Sequence, residues 1–372
     1  MKEILIIAGE VSGDIHGSRL VREMLNLESD LKFYGIGGDK MMNAGVELLY
    51  HVKDVSFLGF TEVVKYIPFM KRIKKKLKAE VEKRKTEKII LIDYPGFNLS
   101  LAKNIFSANR KIYYYISPQI WAWGANRVKT IKDVIHKMLV VFKFEEDFYN
   151  ENNIKVEFVG HPLLESIADY KFENKDTFFR QFNLDVTKKL VTIFPGSRKQ
   201  EIEKILPVSI KAAKKVSNDS NIEIAVAAVS NFPEQFYKQY EGDAKIIYDR
   251  NYELLKYSDA GIIKSGTSTL EAALFQLPFV VVYKTSLLSY LLGKSLIKID
   301  SIALSNIISG QKVVQELIQA DASAEKISME INRLLNDRNY TMNIKNSFKE
   351  LKKKLGEVGA SKRAAELILE VN

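Results

Sequence analysis

The chain is 372 residues long, 46% apolar and 27% charged, which is enough for two domains with cores of their own and excludes wholesale disorder. It has no cysteine, which removes disulfides, iron–sulfur ligation and thiol catalysis and fits a reducing compartment; its four histidines, at 16, 51, 136 and 161, are too scattered to suggest a metal cluster. The formal net charge of +10 points to an anionic partner: a nucleotide, a nucleic acid or an acidic membrane surface.

The first apolar run, Ile4 to Ala8, is too short for a signal peptide and predicts a strand, and no run reaches the roughly 18 residues needed to span a bilayer. The expectation is a cytosolic protein that can lie on a membrane. Short apolar runs ending at Gly or Pro alternate with helical stretches, the pattern of parallel sheets wrapped by helices. In the first half they are Ile4 to Ala8, Lys32 to Gly35, Ile89 to Ile92, Lys111 to Ile116, Met138 to Phe142 and Val156 to Val159. The second half gives Leu190 to Phe194, Glu223 to Ala227, Lys245 to Ile247, Ala260 to Ile263 and Phe279 to Val282. Together they predict an α/β protein of two doubly wound, Rossmann-like domains, 1–165 and 166–340, with the junction in the polar stretch from Ser166 to Lys189. From about Asp321 onward the chain reads as helical and lysine-rich.

The turn Gly9-Glu10-Val11-Ser12-Gly13-Asp14 follows the first strand and opens a helix, where ligands of such sheets gather. Neither it nor Gly35-Ile36-Gly37-Gly38 completes G-x-G-x-x-G, so a dinucleotide-binding dehydrogenase is poorly supported; close passage of a bulky substrate and plain turn geometry both stand. Next, aromatic and aliphatic residues (Phe57, Leu58, Phe60, Val64, Phe69, Met70) precede a run of cations (Lys71, Arg72, Lys74, Lys75). Such a segment can seat apolar side chains among acyl chains while the cations meet anionic headgroups; a core helix followed by a solvated basic helix is the alternative.

Asp93 stands at the carboxyl end of the apolar run Ile89 to Ile92, where restricted solvent raises a carboxylate toward a usable base; a helix cap ahead of Pro95 is the plainer role. Ser117 to Arg127 carries both tryptophans, which can stack on a sugar face or pack a loop. His161, before Pro162, reads as a phosphate donor or an acid–base group, and at least as well as a hinge histidine. In the second half, Phe194-Pro195-Gly196-Ser197-Arg198 and Lys264-Ser265-Gly266-Thr267-Ser268-Thr269-Leu270-Glu271 are each a strand end, a tight turn and a helix start. Each turn converges N–H groups and hydroxyls on an anion, Arg198 adds a planar fork for phosphate oxygens, and Glu271 can hold a ribose or close a capping box on Ser268. No D-x-D occurs, so a carboxylate-held divalent metal is not indicated.

These six motifs, from Gly9–Asp14 through Ile92–Asn98, Ser117–Trp123, Phe158–Pro162 and Phe194–Arg198 to Ser265–Glu271, occur in order, and with them the chain resembles the lipid-A-disaccharide synthases. The resemblance implies a GT-B glycosyltransferase with a cleft between its domains, joining UDP-2,3-diacylglucosamine to 2,3-diacylglucosamine 1-phosphate with inversion and without cofactor or metal. Asp93 then matches the proposed base on the acceptor hydroxyl. Ser197, Arg198 and Glu201 match the diphosphate turn, and Ser265, Gly266, Thr267, Thr269 and Glu271 match the uridine-nucleotide loop. Ser12, Gly13, Asp14, Gln119, Trp121, His161 and Asn231 complete the expected substrate set. Many members carry a second acid where Gly96 stands, and often a proline before the asparagine matched by Asn306, where this chain has Ser305. The family pattern also returns residues 341–372 to the first domain and makes Phe57 to Lys78 its acyl-binding, membrane-facing surface. The expected partners are the two lipid-linked sugars and an anionic membrane surface, not nucleic acid; the oligomeric state stays open. A UDP-sugar epimerase and a non-catalytic nucleotide or lipid carrier are the rival readings.

Overall fold

The computed structural model describes residues 2–55, 63–121, 127–219, 221–233, 235–240, 242–286 and 301–371. The chain divides into two compact units, Met1–Ala168 with Leu355–Asn372, and Asp169–Lys354.

The first unit holds a seven-stranded sheet of β1 (Glu3–Ala8), β2 (Lys32–Gly37), β3 (Val46–His51), β4 (Lys88–Ile92), β5 (Lys111–Tyr115), β6 (Lys137–Val140) and β7 (Val156–Phe158), in the order β3-β2-β1-β4-β5-β6-β7. Every pairing is parallel. Strands covered on both faces bury nearly every residue, which is why β1, β4 and β5 read as continuous apolar runs. The strand order reverses between β1 and β4, and their register, Ala8 opposite Ile92, brings Gly9 and Asp93 to the same edge.

The second unit repeats the plan with β8 (Lys189–Phe194), β9 (Ile222–Ala228), β10 (Lys245–Tyr248), β11 (Ala260–Lys264), β12 (Phe279–Tyr283) and β13 (Glu316–Ile318), in the order β10-β9-β8-β11-β12-β13. Here the reversal lies between β8 and β11, and pairing of Phe194 with Ile263 sets Pro195-Gly196 beside Lys264-Ser265. Both sheets carry an edge strand absent from the expected set, β3 and β13. Most of β3 is only half-buried and β13 has three residues, so neither presents a long apolar run.

The boundaries fall at 168/169 and 354/355, where the sequence reading sets them at 165/166 and 340/341. The helix Arg338–Lys354 stays with the second unit because it buries Ile344, Phe348 and Leu351, and Phe348 stacks on Phe279 of β12 at 5.6 Å. The return to the first unit begins at Leu355. There the helix Ala360–Leu369 packs its alanine face, Ala360, Ala364 and Ala365, on the helix Val11–Leu27, and Lys88 donates to the Ile368 carbonyl at 2.9 Å.

Candidate functional site

At the switch point of the first sheet the backbone leaves β4 through two left-handed residues, Asp93 at φ 44° and Tyr94 at φ 49°, before Pro95 begins the helix Pro95–Ile105. The neighbouring β5 ends in the same way, with the β-branched Ile116 at φ 61°. Such conformations cost about 1–3 kcal/mol each and persist only where the surroundings over-determine them. The surroundings are present. The Asp93 N–H donates to the Tyr115 carbonyl at 3.1 Å, and the Asp93 carbonyl accepts from the Tyr114 hydroxyl at 2.5 Å and the Asn98 amide at 2.7 Å. Gly9 makes room for the turn, since a Cβ there would sit 2.1 Å from Cδ1 of Tyr94. The helix cap is Tyr94, without a side-chain bond, so Asp93 is not spent as a cap. Burial first, and then the negative charge of Glu10, push the Asp93 carboxyl up to about 6, against a backbone N–H bond from Tyr94.

The other expected residues of this unit divide into exposed groups and structural ones. Ser12 is exposed at the start of the helix Val11–Leu27, and Gly13 is buried, with a Cβ there 3.2 Å from that of Ala8. Asp14 is buried and committed elsewhere: its carboxylate accepts from the N–H groups of Gly38 at 2.7 Å, Met41 at 2.9 Å and Lys40 at 3.1 Å. His161 is likewise internal. Its Nδ1 accepts from the Leu163 N–H at 3.2 Å, its own N–H binds the Leu355 carbonyl at 2.9 Å, and burial, then His16, hold its imidazole down at about 3. It is therefore held in the neutral form. Gln119 is exposed; Trp121 is half-buried and donates its indole N–H to Glu145 at 3.1 Å. Trp121 and His161 are joined by a ring ladder: Trp121 to Phe144 at 5.0 Å, Phe144 to Phe142 at 5.6 Å, Phe142 to His161 at 5.0 Å.

In the second unit the two turns end neighbouring strands. Gly196 takes φ 106°, and Ser197 and Arg198 are exposed ahead of the helix Lys199–Asp219. Glu201, in that helix's first turn, faces inward: its carboxylate lies 3.0 Å from the Lys264 ammonium and 3.8 Å from the Arg198 guanidinium, and a Cβ on Gly196 would meet it at 2.5 Å. Lys264, absent from the expected set, thus ties the two turns together. The second turn is capped by Gly266 rather than Ser268, with no side-chain cap bond, so the capping box does not form. The Ser265 hydroxyl donates to the Ile302 carbonyl and the Thr269 hydroxyl to the Gly266 carbonyl, each at 2.8 Å, which leaves Thr267 as the exposed hydroxyl of the loop. Glu271 is half-buried, and burial pushes its carboxyl up to about 7. Asn231 is exposed in the loop after β9, next to Ser230, which bonds Asp249. In the helix Leu304–Ser309, which packs on the helix Thr267–Leu274, Asn306 is internal, bonding Val313, Val314 and Glu316, while the Ser305 hydroxyl is buried with no partner among the described residues.

The expected membrane-facing segment is described only in part. Phe57, Leu58 and Phe60 lie outside the described residues, as does Trp123, and for Val64 only the backbone is described. In the helix Val63–Lys83, Ile73, Leu77 and Val81 are buried at four-residue spacing, and Phe69 and Met70 pack against the same core. Phe69 meets Tyr50 edge-on at 6.5 Å. The Phe69 and Met70 side chains are both half-buried, packed on the core with one face. Lys71, Arg72 and Lys75 are exposed, and Lys74 donates to Ser100 at 2.8 Å. Among the described residues no helix is long and apolar enough to cross a membrane, and no group of three or more His, Asp or Glu is placed to hold a metal ion.

The sequence profile described as lipid-A-disaccharide synthetase matches residues 4–371. A lipid-A-disaccharide synthase of Geobacter sulfurreducens is 40% identical over 373 residues, 99% of this chain and 97% of that one. Among solved structures, the UDP-GlcNAc 2-epimerase of Neisseria meningitidis bound to UDP-GlcNAc matches all of this chain and all of that one, with a TM-score of 0.67 at 13% identity. The calicheamicin glycosyltransferase matches with a TM-score of 0.62 at 11% identity, over 100% of this chain and 98% of that one. At these identities the structural likeness speaks for the fold alone, the GT-B plan that glycosyltransferases and such epimerases share.

Proposed function

The chain belongs to the lipid-A-disaccharide synthetase family, whose members are glycosyltransferases, and from that premise we propose that it transfers 2,3-diacylglucosamine from its UDP derivative to 2,3-diacylglucosamine 1-phosphate, forming the β-1,6-linked disaccharide 1-phosphate and UDP. In this reading Asp93 takes the proton of the acceptor hydroxyl as that oxygen attacks the anomeric carbon of the donor. The bond to the UDP oxygen breaks on the opposite face, and a single displacement assisted by one base inverts the centre. Arg198, with the N–H groups that begin the helices Lys199–Asp219 and Thr267–Leu274, takes up the charge of the departing diphosphate, and Glu271 holds the ribose. No metal is assigned a part.

The observation that carries this reading is the state of Asp93: a carboxyl at a topological switch point, held by strained backbone, free of a capping duty and pushed up to about 6. A group with that value is mostly ionised at neutral pH yet basic enough to receive a proton in the transition state. Because both substrates are lipids, we also place the protein at the cytoplasmic face of an anionic membrane, met by Lys71, Arg72 and Lys75.

The test is UDP release with donor alone, acceptor alone and both together, with mass spectrometry of the product. Release only with both, and a product of the summed mass less UDP, supports the transfer. Conversion of the donor alone would favour the epimerase, and UDP binding without release would favour a carrier.

A further inference from the structure

Glu145 is fully buried in the first turn of the helix Phe144–Glu151, yet no step of the transfer needs an acid there. One of its oxygens accepts from the Ser117 hydroxyl at 2.6 Å and the Trp121 indole N–H at 3.1 Å, and the other accepts from the Phe142 N–H at 3.2 Å. Burial pushes its carboxyl up to about 7, and those same three donors pull it back.

Ser117 and Trp121 are the two ends of one loop, the continuation of β5. Between them Pro118 and Ile120 are buried, the Pro118 carbonyl accepts from the Tyr149 hydroxyl at 3.4 Å, and Gln119 alone faces solvent. One carboxylate oxygen therefore closes the loop from both ends, and the polar side chain at its apex is left pointing outward. The loop begins at the strained Ile116, directly after the strand that holds the Asp93 backbone by two hydrogen bonds. A buried acid is costly unless its charge is matched by donors, so a packed apolar residue would fill this position more cheaply if only core volume were needed.

We propose that Glu145 is a positioning residue for the transfer: its carboxylate clasps the loop Ser117–Trp121 and thereby fixes Gln119 and Trp121 beside the strand end that carries Asp93. The inference rests on the proposed reaction for its consequence, but the clasp itself is a structural claim that can be read without turnover.

The experiment uses the full chain with Trp123→Phe, so that Trp121 is the sole indole, and compares this parent with Glu145→Gln and Glu145→Ala. Gln keeps an oxygen for Ser117 and Trp121 but turns its amide N–H toward the Phe142 N–H; Ala removes the clasp. The readouts are Trp121 emission and its quenching by acrylamide, kcat and KM for UDP release, the Kd for UDP, and thermal unfolding. With the clasp gone, Trp121 emission shifts to the red, quenching rises roughly twofold, and kcat/KM falls roughly tenfold or more, with Gln between Ala and the parent. The Kd for UDP stays within about twofold, since UDP is assigned to the other unit. Unchanged Trp121 emission and quenching in both variants overturns the clasp. A shifted emission with kcat/KM within about twofold of the parent leaves Glu145 a structural acid and overturns the positioning role. Should Glu145→Ala fail to unfold cooperatively, Glu145→Leu, which keeps the bulk but accepts no hydrogen bond, takes its place under the same criteria. A parent that releases no UDP from the paired lipids defeats the proposed reaction, and with it the positioning role, while emission and quenching still decide the clasp.

Discussion

The Lys264 ammonium lies 3.0 Å from a carboxylate oxygen of Glu201, so a single ion pair joins the turns that end β8 and β11. The two side chains are 20% and 16% exposed, which sets the pair apart from the solvated bridges of the surface. Its presence changes the meaning of Glu201. An acid expected among the diphosphate contacts shares one oxygen, Oε1, between two cations, with the Arg198 guanidinium at 3.8 Å from it. On the proposed reading, an acid so placed orients cations toward a phosphate rather than touching it.

Glu201→Gln should therefore lower stability by about 1–2 kcal/mol, because Lys264 is left half-buried without its partner. The same change should leave the affinity for UDP equal or tighter, since the two cations no longer share their charge with a carboxylate. Titration calorimetry with UDP, beside a thermal melt, reads both effects. A loss of affinity of about tenfold or more would return Glu201 to direct contact with the nucleotide.

Asp93 yields a pH prediction. Its carboxyl stands near 6, so kcat/KM should rise with pH through about 6 as the base loses its proton. Glu10 contributes to the upward shift; in Glu10→Gln the ionised form of Asp93 is easier to reach, and the acid limb should move to lower pH. Asp93→Asn should lose about 10²–10⁴ in kcat with UDP affinity kept. An acid limb that stays in place in Glu10→Gln would detach it from Asp93.

Gly9, at the neighbouring strand end, and Gly96, three residues on in the chain, both lie close to Asp93 but differ in what surrounds them. A Cβ at Gly9 would lie 2.1 Å from the Tyr94 ring, which is also held by a bond from its hydroxyl to the Val55 carbonyl at 3.1 Å. Gly9→Ala should cost about 1–3 kcal/mol and depress kcat, because the ring cannot move without disturbing Asp93. At Gly96 nothing lies within 4 Å of the added atom, and the position is in the first turn of a helix. Gly96→Asp should fold normally and gain about 0.5–1 kcal/mol from the helix dipole and from lost chain entropy. Chemical denaturation of the two variants decides, and equal costs would refute the packing argument.

Much of this arrangement was legible in the sequence because strand ends followed by glycine, serine or proline mark where parallel sheets gather ligands. Asp93 stood out as a lone acid closing an apolar run. Lys264 closes an apolar run in the same way and was passed over because it lay inside a motif read for its hydroxyls. Glu145 offered no such signal: in Phe144-Glu145-Glu146-Asp147 it looks like one of three acids in a helical first turn, and only the three-dimensional meeting with Ser117 and Trp121 singles it out. Phe69 and Met70 show why the membrane-facing segment is hard to read from sequence: a helix that covers a sheet and one that meets a membrane share the same apolar stripe, and these two half-buried side chains pack on the core with one face only. Which solvent the stripe faces is a tertiary fact.

Glu271 provides a test in which stability and binding move in opposite directions. Burial raises its carboxyl to about 7, so the folded chain holds that proton more tightly than the unfolded chain does. The stability it contributes is then full at low pH and declines as pH rises from about 4.5, the ordinary glutamate range, to about 7. Glu271→Gln removes the cost of a desolvated charge and should exceed the parent in stability by about 1–3 kcal/mol at pH 8, with the difference shrinking as pH falls toward 5. If Glu271 holds the ribose, the same variant should bind UDP roughly tenfold more weakly while binding inorganic diphosphate as the parent does. Melting curves between pH 5 and 8, run with and without UDP, separate these effects. A variant no more stable than the parent at pH 8 would mean that the carboxylate has a partner in the folded chain, and equal UDP affinity would take the ribose away from it.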